Sequence, residues 1–146
     1  MPHVDTWYKY EQLPWYPHMG PKDAHLWNQY VYKNPSRFLR VAYDTRCGDV
    51  ENPDPELPKN IIDAWADLCR GRIDVVAEDS DAFYVFEVKP RARGEALGQA
   101  LNNAHLFKTE RNPQKPVYPA VLTDVIIPGT RDVANAMGII LLTPYI

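Results

Sequence analysis

Two stretches of the chain are dominated by β-branched and aromatic residues in strand-like runs: residues 72–77 (RIDVVA) and 82–89 (AFYVFEVK). The EDSD between them is turn chemistry, so the pair reads as a hairpin, and Pro90 stops its second strand. Residues 21–34 read as a helix. Pro21 suits a first turn, Leu26, Trp27, Tyr30 and Val31 form an apolar stripe, and Asn34-Pro35 ends it. Residues 37–46 read as a strand closed by Gly48, and 49–59, with three prolines and four acidic residues, as a loop. The stretch 60–70 (NIIDAWADLCR) fits a short helix or a bulged strand equally well. A helix follows over 94–108, a strand over 117–123, a short helix over 130–137 that stops at Gly138, and a last buried strand at Ile139–Leu142. Hairpin strands followed by alternating β and α predict an α/β domain, a mixed β-sheet flanked by helices, over residues 21–146. Residues 1–20 hold Trp7, Tyr8, Tyr10, Trp15 and Tyr16 among prolines and read as an extended arm. That composition is too aromatic for disorder, so the arm is expected to lie on its own domain or to dock on a second copy or an assembly partner.

Composition narrows the class. A chain of 146 residues is about one domain and can bury a core without disulfide or metal staples. Fourteen prolines, roughly twice average usage, imply many stiff loops. A net charge of −3 excludes binding of polyanions by bulk positive charge. Residues 70–115 carry 8 basic and 7 acidic side chains, so positive potential gathers in the middle third. Cys47 and Cys69 form no CxxC pair or Cys/His cluster, which argues against zinc and for buried thiols in a reducing compartment. The start MPHVDTWYKYE has no apolar leader region, and the longest aliphatic run, 139–142, is too short to span a bilayer. A cytoplasmic protein with no membrane partner is expected.

The chemistry concentrates in the hairpin. Asp74 sits mid-strand, and Glu87-Val88-Lys89 ends the next strand with Glu87 and Lys89 on one face. If the turn is Asp79–Ala82, Asp74 falls opposite Glu87, with Cβ atoms within about 5.5 Å. Two carboxylates that close repel unless a cation lies between them, and hard carboxylate oxygens suit Mg²⁺ or Mn²⁺. An acidic-x-Lys triplet is expected about once by chance in this composition, so its placement among Val75, Val76, Val85, Phe86 and Val88 carries the weight. Charges in such a run need pairing or a ligand. A cross-strand Asp74–Lys89 salt bridge is the plainer alternative.

The sequence RID, then twelve residues, then EVKP, followed by a helix with GQALNNAHLF, resembles the PD-(D/E)XK nuclease superfamily. The resemblance spans residues 21–146 and is greatest to small nuclease-like proteins of phages and mobile elements. It implies a restriction-endonuclease-like fold and a Mg²⁺-dependent (or Mn²⁺-dependent) DNA nuclease. By resemblance Asp74, Glu87 and the Val88 carbonyl would bind the metal, and Lys89 would position the attacking water. Gln99 matches the Gln of a Q-x-x-x-Y pattern whose Tyr position is Asn103 here, and Ile73 replaces the proline before the first Asp. Asp23 on the first helix and Asp44 on the first strand are candidate outer acids, although Asp23 equally suits the helix dipole.

Arg72, Arg91, Arg93 and Lys108 are the basic residues expected to meet DNA phosphates, with Arg70, Arg111 and Lys115 nearby. No recognition helix with base-reading residues is visible. His3, His18, His25 and His105 show no metal-ligand spacing. The alternative from another class is a relict nuclease fold that serves as a binding or assembly module, in a phage particle or a transposition complex, with Trp7, Trp15 and Tyr16 as its contacts. On either reading the location is a bacterial or phage-infected cytoplasm, or a virion.

Overall fold

The computed structural model describes residues 5–48, 54–69 and 71–145, without the side chains of 66–69. Expectations for His3, Arg70, the Cys69 thiol and positions 49–53 therefore lie outside the described residues. The elements are α1 (Pro21–Lys33), β1 (Arg40–Cys47), α2 (Lys59–Cys69), β2 (Gly71–Glu78), β3 (Phe83–Val88), α3 (Gly94–Arg111), β4 (Val117–Leu122), α4 (Pro128–Met137) and β5 (Ile140–Leu142). The five strands form one sheet in the order β1-β2-β3-β4-β5. The β1–β2 and β2–β3 pairs are antiparallel, and β3–β4 and β4–β5 are parallel. Parallel neighbours need crossovers, which α3 and α4 supply. The chain is thus an α/β domain with a mixed sheet and helices, as the hydrophobic pattern predicts.

Three boundaries are decided locally. The stretch left open between helix and strand is the helix α2, whose first N–H bonds run from Ile61 and Ile62 to the Pro58 carbonyl at 3.0 and 3.1 Å. Helix α3 runs to Arg111, three residues past the expected end, and stops where Asn112 turns left-handed at φ 45°. Lys108 and Arg111 in its last turn complement the carbonyl end. Helix α4 starts at Pro128 rather than 130, because proline gives up no helical hydrogen bond in the first turn.

The sheet buries both faces. On one, the arm and α1 bring Tyr10, Tyr16, Leu26, Trp27 and Tyr30 onto Tyr43, Val75, Phe86 and Val88. On the other, α3 lays Ala104 and Phe107 on Ile73, Val76 and Val85, and the layer continues through Leu97, Ala100, Val121 and Ala134. Phe86 and Trp27 are within 1% of full burial and meet at 5.5 Å between ring centroids. Aromatic burial of this kind contributes about 1.5–3 kcal/mol per side chain.

The arm is stitched to the sheet. Tyr8 exchanges both backbone hydrogen bonds with Val41, at 2.7 and 3.0 Å, which covers the β1 edge locally. Trp7 packs on Phe83, and Asp5 meets the Arg111 guanidinium at 2.6 Å. Of the three arm residues considered for partner contact, Tyr16 is wholly buried, Trp7 is half-buried, and Trp15 stays 68% exposed. Among the described residues no helix is long and apolar enough to cross a membrane.

Candidate functional site

The turn sets the register, and the register sets the site. Asp79 accepts hydrogen bonds from the N–H groups of Asp81 and Ala82, both at 2.8 Å, and its own N–H reaches the Ala82 carbonyl at 3.1 Å. This Asx turn closes the hairpin at Glu78 opposite Phe83. Burial opposes the Asp79 charge, but donors from Arg37, the turn and Tyr84 outweigh it and hold the carboxyl at about 2. From Glu78–Phe83 the pairing runs to Val75–Phe86, and one further step puts Asp74 across from Glu87. The Val88 N–H donates to Asp74 Oδ2 at 2.9 Å, which ties the two strand ends together.

Asp74 also lies where β2 turns over. Val75 and Ala77 pack on the α1 side and Val76 on the α3 side, as alternation requires, yet Ile73 packs on the α3 side too. The pairing with β1 passes from Tyr43–Val75 to Thr45–Ile73, and Asp44 between them is left-handed at φ 48°. Asp44 then grips Arg72 through two hydrogen bonds of 3.1 Å. The strand end carrying Asp74 is thereby re-aimed, as bulge-like distortions do.

Asp74 and Glu87 open into one polar cavity of about 640 Å³. Its walls are His18 from the arm, Gly71 and Arg72 from β2, and Glu95, Gly98, Gln99, Asn102 and Asn103 from α3. Three acids, Asp74, Glu87 and Glu95, face this space. Burial raises the Glu87 carboxyl to about 8, and the neighbouring Asp74 charge adds to that while Lys89 opposes it. Burial likewise raises Asp74 to about 6, against the Val88 hydrogen bond, with Asp23 and Asp44 pushing the same way. Asp23 is raised by its own burial and eased by Lys89, so its charge belongs to the same field. Two half-buried carboxyls in mutual repulsion favour a proton or a cation between them.

Among the described residues no three His, Cys, Asp or Glu side chains stand close enough to hold an ion by themselves. The acidic donors are the Asp74 and Glu87 carboxylates; Val88, whose carbonyl the resemblance adds, is buried beside Glu87 on β3 and is not one of the cavity walls. That carboxylate pair fits Mg²⁺ or Mn²⁺, which are bound through one or two carboxylates and keep several waters. It does not fit a structural zinc site.

The other expected residues divide. Gln99 lines the cavity. Lys89 is exposed and does not line it, although its charge reaches Asp23, Asp74 and Glu87. Arg72 lines it with its guanidinium engaged by Asp44. Arg91 and Arg93 are exposed on the loop between β3 and α3. That loop is pinned by hydrogen bonds from the Arg91 and Ala92 N–H groups to Asp124 and Thr123, at 2.7 and 2.9 Å. Lys108 is exposed near the far end of α3, away from the cavity walls. Arg111 and Lys115 are structural. Arg111 is bound by Asp5 and lies against Cys47 Sγ at 3.1 Å, and Lys115 bonds Glu78 at 3.0 Å.

Sequence reasoning missed His18, Glu95 and Asn102, and gave Asn103 no role. Asn103, where the Q-x-x-x-Y pattern would have Tyr, is buried and donates to the Arg72 carbonyl at 3.1 Å. Its side chain sits directly on Gly71, where a Cβ would collide with it. Glu95, Asn102 and Gln99 recur at helical spacing on α3, so a helical wheel finds them once one is known to face the site. Nothing in the local sequence signals His18. No family model, curated protein or solved structure matched the chain.

Proposed function

We propose that this chain is a divalent-metal-dependent DNA nuclease of the PD-(D/E)XK kind, built on a restriction-endonuclease-like fold. The observation that carries the reading is the convergence of Asp74 and Glu87, from adjacent strands, on one polar cavity whose burial disfavours two bare charges. The order of helix, antiparallel hairpin, crossover helix and parallel strand supports it as well.

In this reading Asp74, Glu87 and the Val88 carbonyl hold Mg²⁺ or Mn²⁺. The bound cation would supply an acidified water and offset charge developing on the phosphodiester. Lys89, whose charge reaches both carboxylates, orients the attacking water. Gln99 donates to a phosphate oxygen from α3. Arg91 and Arg93, exposed on the pinned loop after β3, meet the flanking DNA backbone. Arg72 acts through Asp44 and holds the strand end that carries Asp74.

Plasmid nicking with Mg²⁺ or Mn²⁺ tests this, with wild type set against Asp74→Ala. Nicking by the wild type that the variant lacks supports the reading. Equal nicking by both removes Asp74 from the chemistry. The relict binding module is the second reading, favoured by the absence of Lys89 from the cavity wall and by the exposed Trp15. Absence of cleavage across metals and DNA forms would leave that one standing.

A further inference from the structure

Three acidic side chains face the cavity, so any phosphate entering it needs donors opposite them. Among the described residues the one cavity-wall guanidinium, that of Arg72, is held by Asp44. Among the described residues, the lining side chains that carry donors and make no hydrogen bond are those of His18, Gln99 and Asn102. Gln99 and Asn102 stand on α3. His18 is the arm's contribution to the described walls.

The placement of His18 is over-determined. Its backbone is left-handed at φ 61°, an arrangement uncommon for a residue with a Cβ. The residues on either side are anchored. Tyr16 is wholly buried, accepts the Leu13 N–H at 2.8 Å and packs on Tyr43 at 5.0 Å, and Met19 is 8% exposed. Gly20 then leads into α1, where its carbonyl accepts the Ala24 N–H at 3.0 Å. Two buried anchors thus hold an exposed, hydrogen-bond-free imidazole at the wall of the carboxylate cavity. Such conformations persist where the surroundings enforce them, and they gather at ligand sites.

We propose that His18 is a substrate-binding residue that donates to a phosphate oxygen of a nucleotide seated in this cavity, which Gln99 and Asn102 also line. The proposal rests on the nuclease reading for its substrate class, a nucleic-acid strand or its terminal 5′-nucleotide. It gives the N-terminal arm a part in the site, in place of a purely external contact.

The test uses two variants chosen for the left-handed backbone. His18→Gly keeps that conformation and removes the donor, and His18→Asn keeps both, since Asn tolerates it and carries an amide N–H. Thymidine 5′-monophosphate is titrated against each full-length protein with and without Mn²⁺, read by thermal shift and by the imidazole NMR signals. Loss of about tenfold or more in nucleotide affinity is expected for His18→Gly, with partial recovery in His18→Asn. The His18 signal, identified by its absence in the variants, should shift on nucleotide addition while those of His25 and His105 do not. Nucleotide affinity unchanged in His18→Gly, or no nucleotide binding by the wild type, overturns the assignment. Failure of Mn²⁺ to stabilise the wild type counts instead against the metal reading, and the metal-free titration still decides His18.

Discussion

Replacing Glu87 by Gln should make the metal-free protein more stable at alkaline pH. Burial and the adjacent Asp74 raise the Glu87 carboxyl from 4.5 to about 8. The folded state therefore keeps a proton that the unfolded chain has already released across that interval. With more protons bound in the folded state, stability falls as pH rises, by up to about 1.4 kcal/mol per pH unit for one proton. The favourable contribution is complete below pH 4.5 and is lost as pH climbs through 8. Asp74 adds to the same slope between 3.8 and about 6. Allowing for solvent at the cavity mouth, the wild type should lose on the order of 2–3 kcal/mol between pH 5 and 8.5, a large part of the ~5–15 kcal/mol typical of a domain. Gln has the same shape and no charge to lose. Glu87→Gln should flatten the profile and gain about 2 kcal/mol at pH 8.5, or some 4–8 °C in Tm. Urea unfolding at half-unit pH steps measures this directly. Saturating Mn²⁺, at a hundredfold its Kd, should restore about 2.7 kcal/mol to the wild type and nothing to the variant. Parallel pH profiles for the two proteins, or a variant less stable than wild type at pH 8.5, would refute the electrostatic account of the cavity.

Four further outcomes follow from particular contacts. Asp79→Ala removes the acceptor of the hairpin turn and of Arg37, and should cost about 2–4 kcal/mol in urea unfolding at pH 7, with metal binding weakened because the Asp74–Glu87 register loosens. Since donors hold Asp79 at about 2 against an ordinary 3.8, that stabilisation should fade as pH drops from 4 toward 2. Gly71→Ala sets a methyl group against Asn103 and should cost about 1–3 kcal/mol, with a displaced Asn103 amide signal as the NMR marker. Arg111→Met removes the guanidinium that ties Asp5 to α3 and should cost about 1–3 kcal/mol, freeing the arm for limited proteolysis before the domain unfolds. Burial pushes the Cys47 thiol up to about 12, so in a Cys69→Ser background iodoacetamide at pH 8 should label the native protein far more slowly than the urea-unfolded chain.

Much of this molecule is legible without coordinates, and the legible part is local. The strand pair 72–77 and 82–89, the Asp79–Ala82 turn, and hence Asp74 facing Glu87, all follow from period-two patterning and Asx chemistry within one short stretch of chain. The α1 stripe of Leu26, Trp27, Tyr30 and Val31 is buried as its spacing predicts. Gln99 reached the cavity because helical phase carried it there. Where local signals balance, as over 60–70, the pattern alone leaves helix and strand equal, and the described side chains of α2, those of 59–65, are mostly exposed. A segment with little tertiary burial has no second face to declare its period.

Tertiary structure decided everything that depends on contacts between distant segments. Arg111 looks like any exposed cation in the sequence, yet it is sequestered because Asp5, 106 residues away, packs beside it. Arg72 carries the charge of a phosphate contact and spends it on Asp44, whose left-handed backbone no pattern announces. His18 belongs to an arm with no motif at all, and only the burial of Tyr16 and Met19 on the sheet brings it to the same cavity as Asp74. Period, turn and cap are properties of a few neighbouring residues and are written in the chain. A cavity wall is a property of three separate segments meeting, and it exists only once the core has packed.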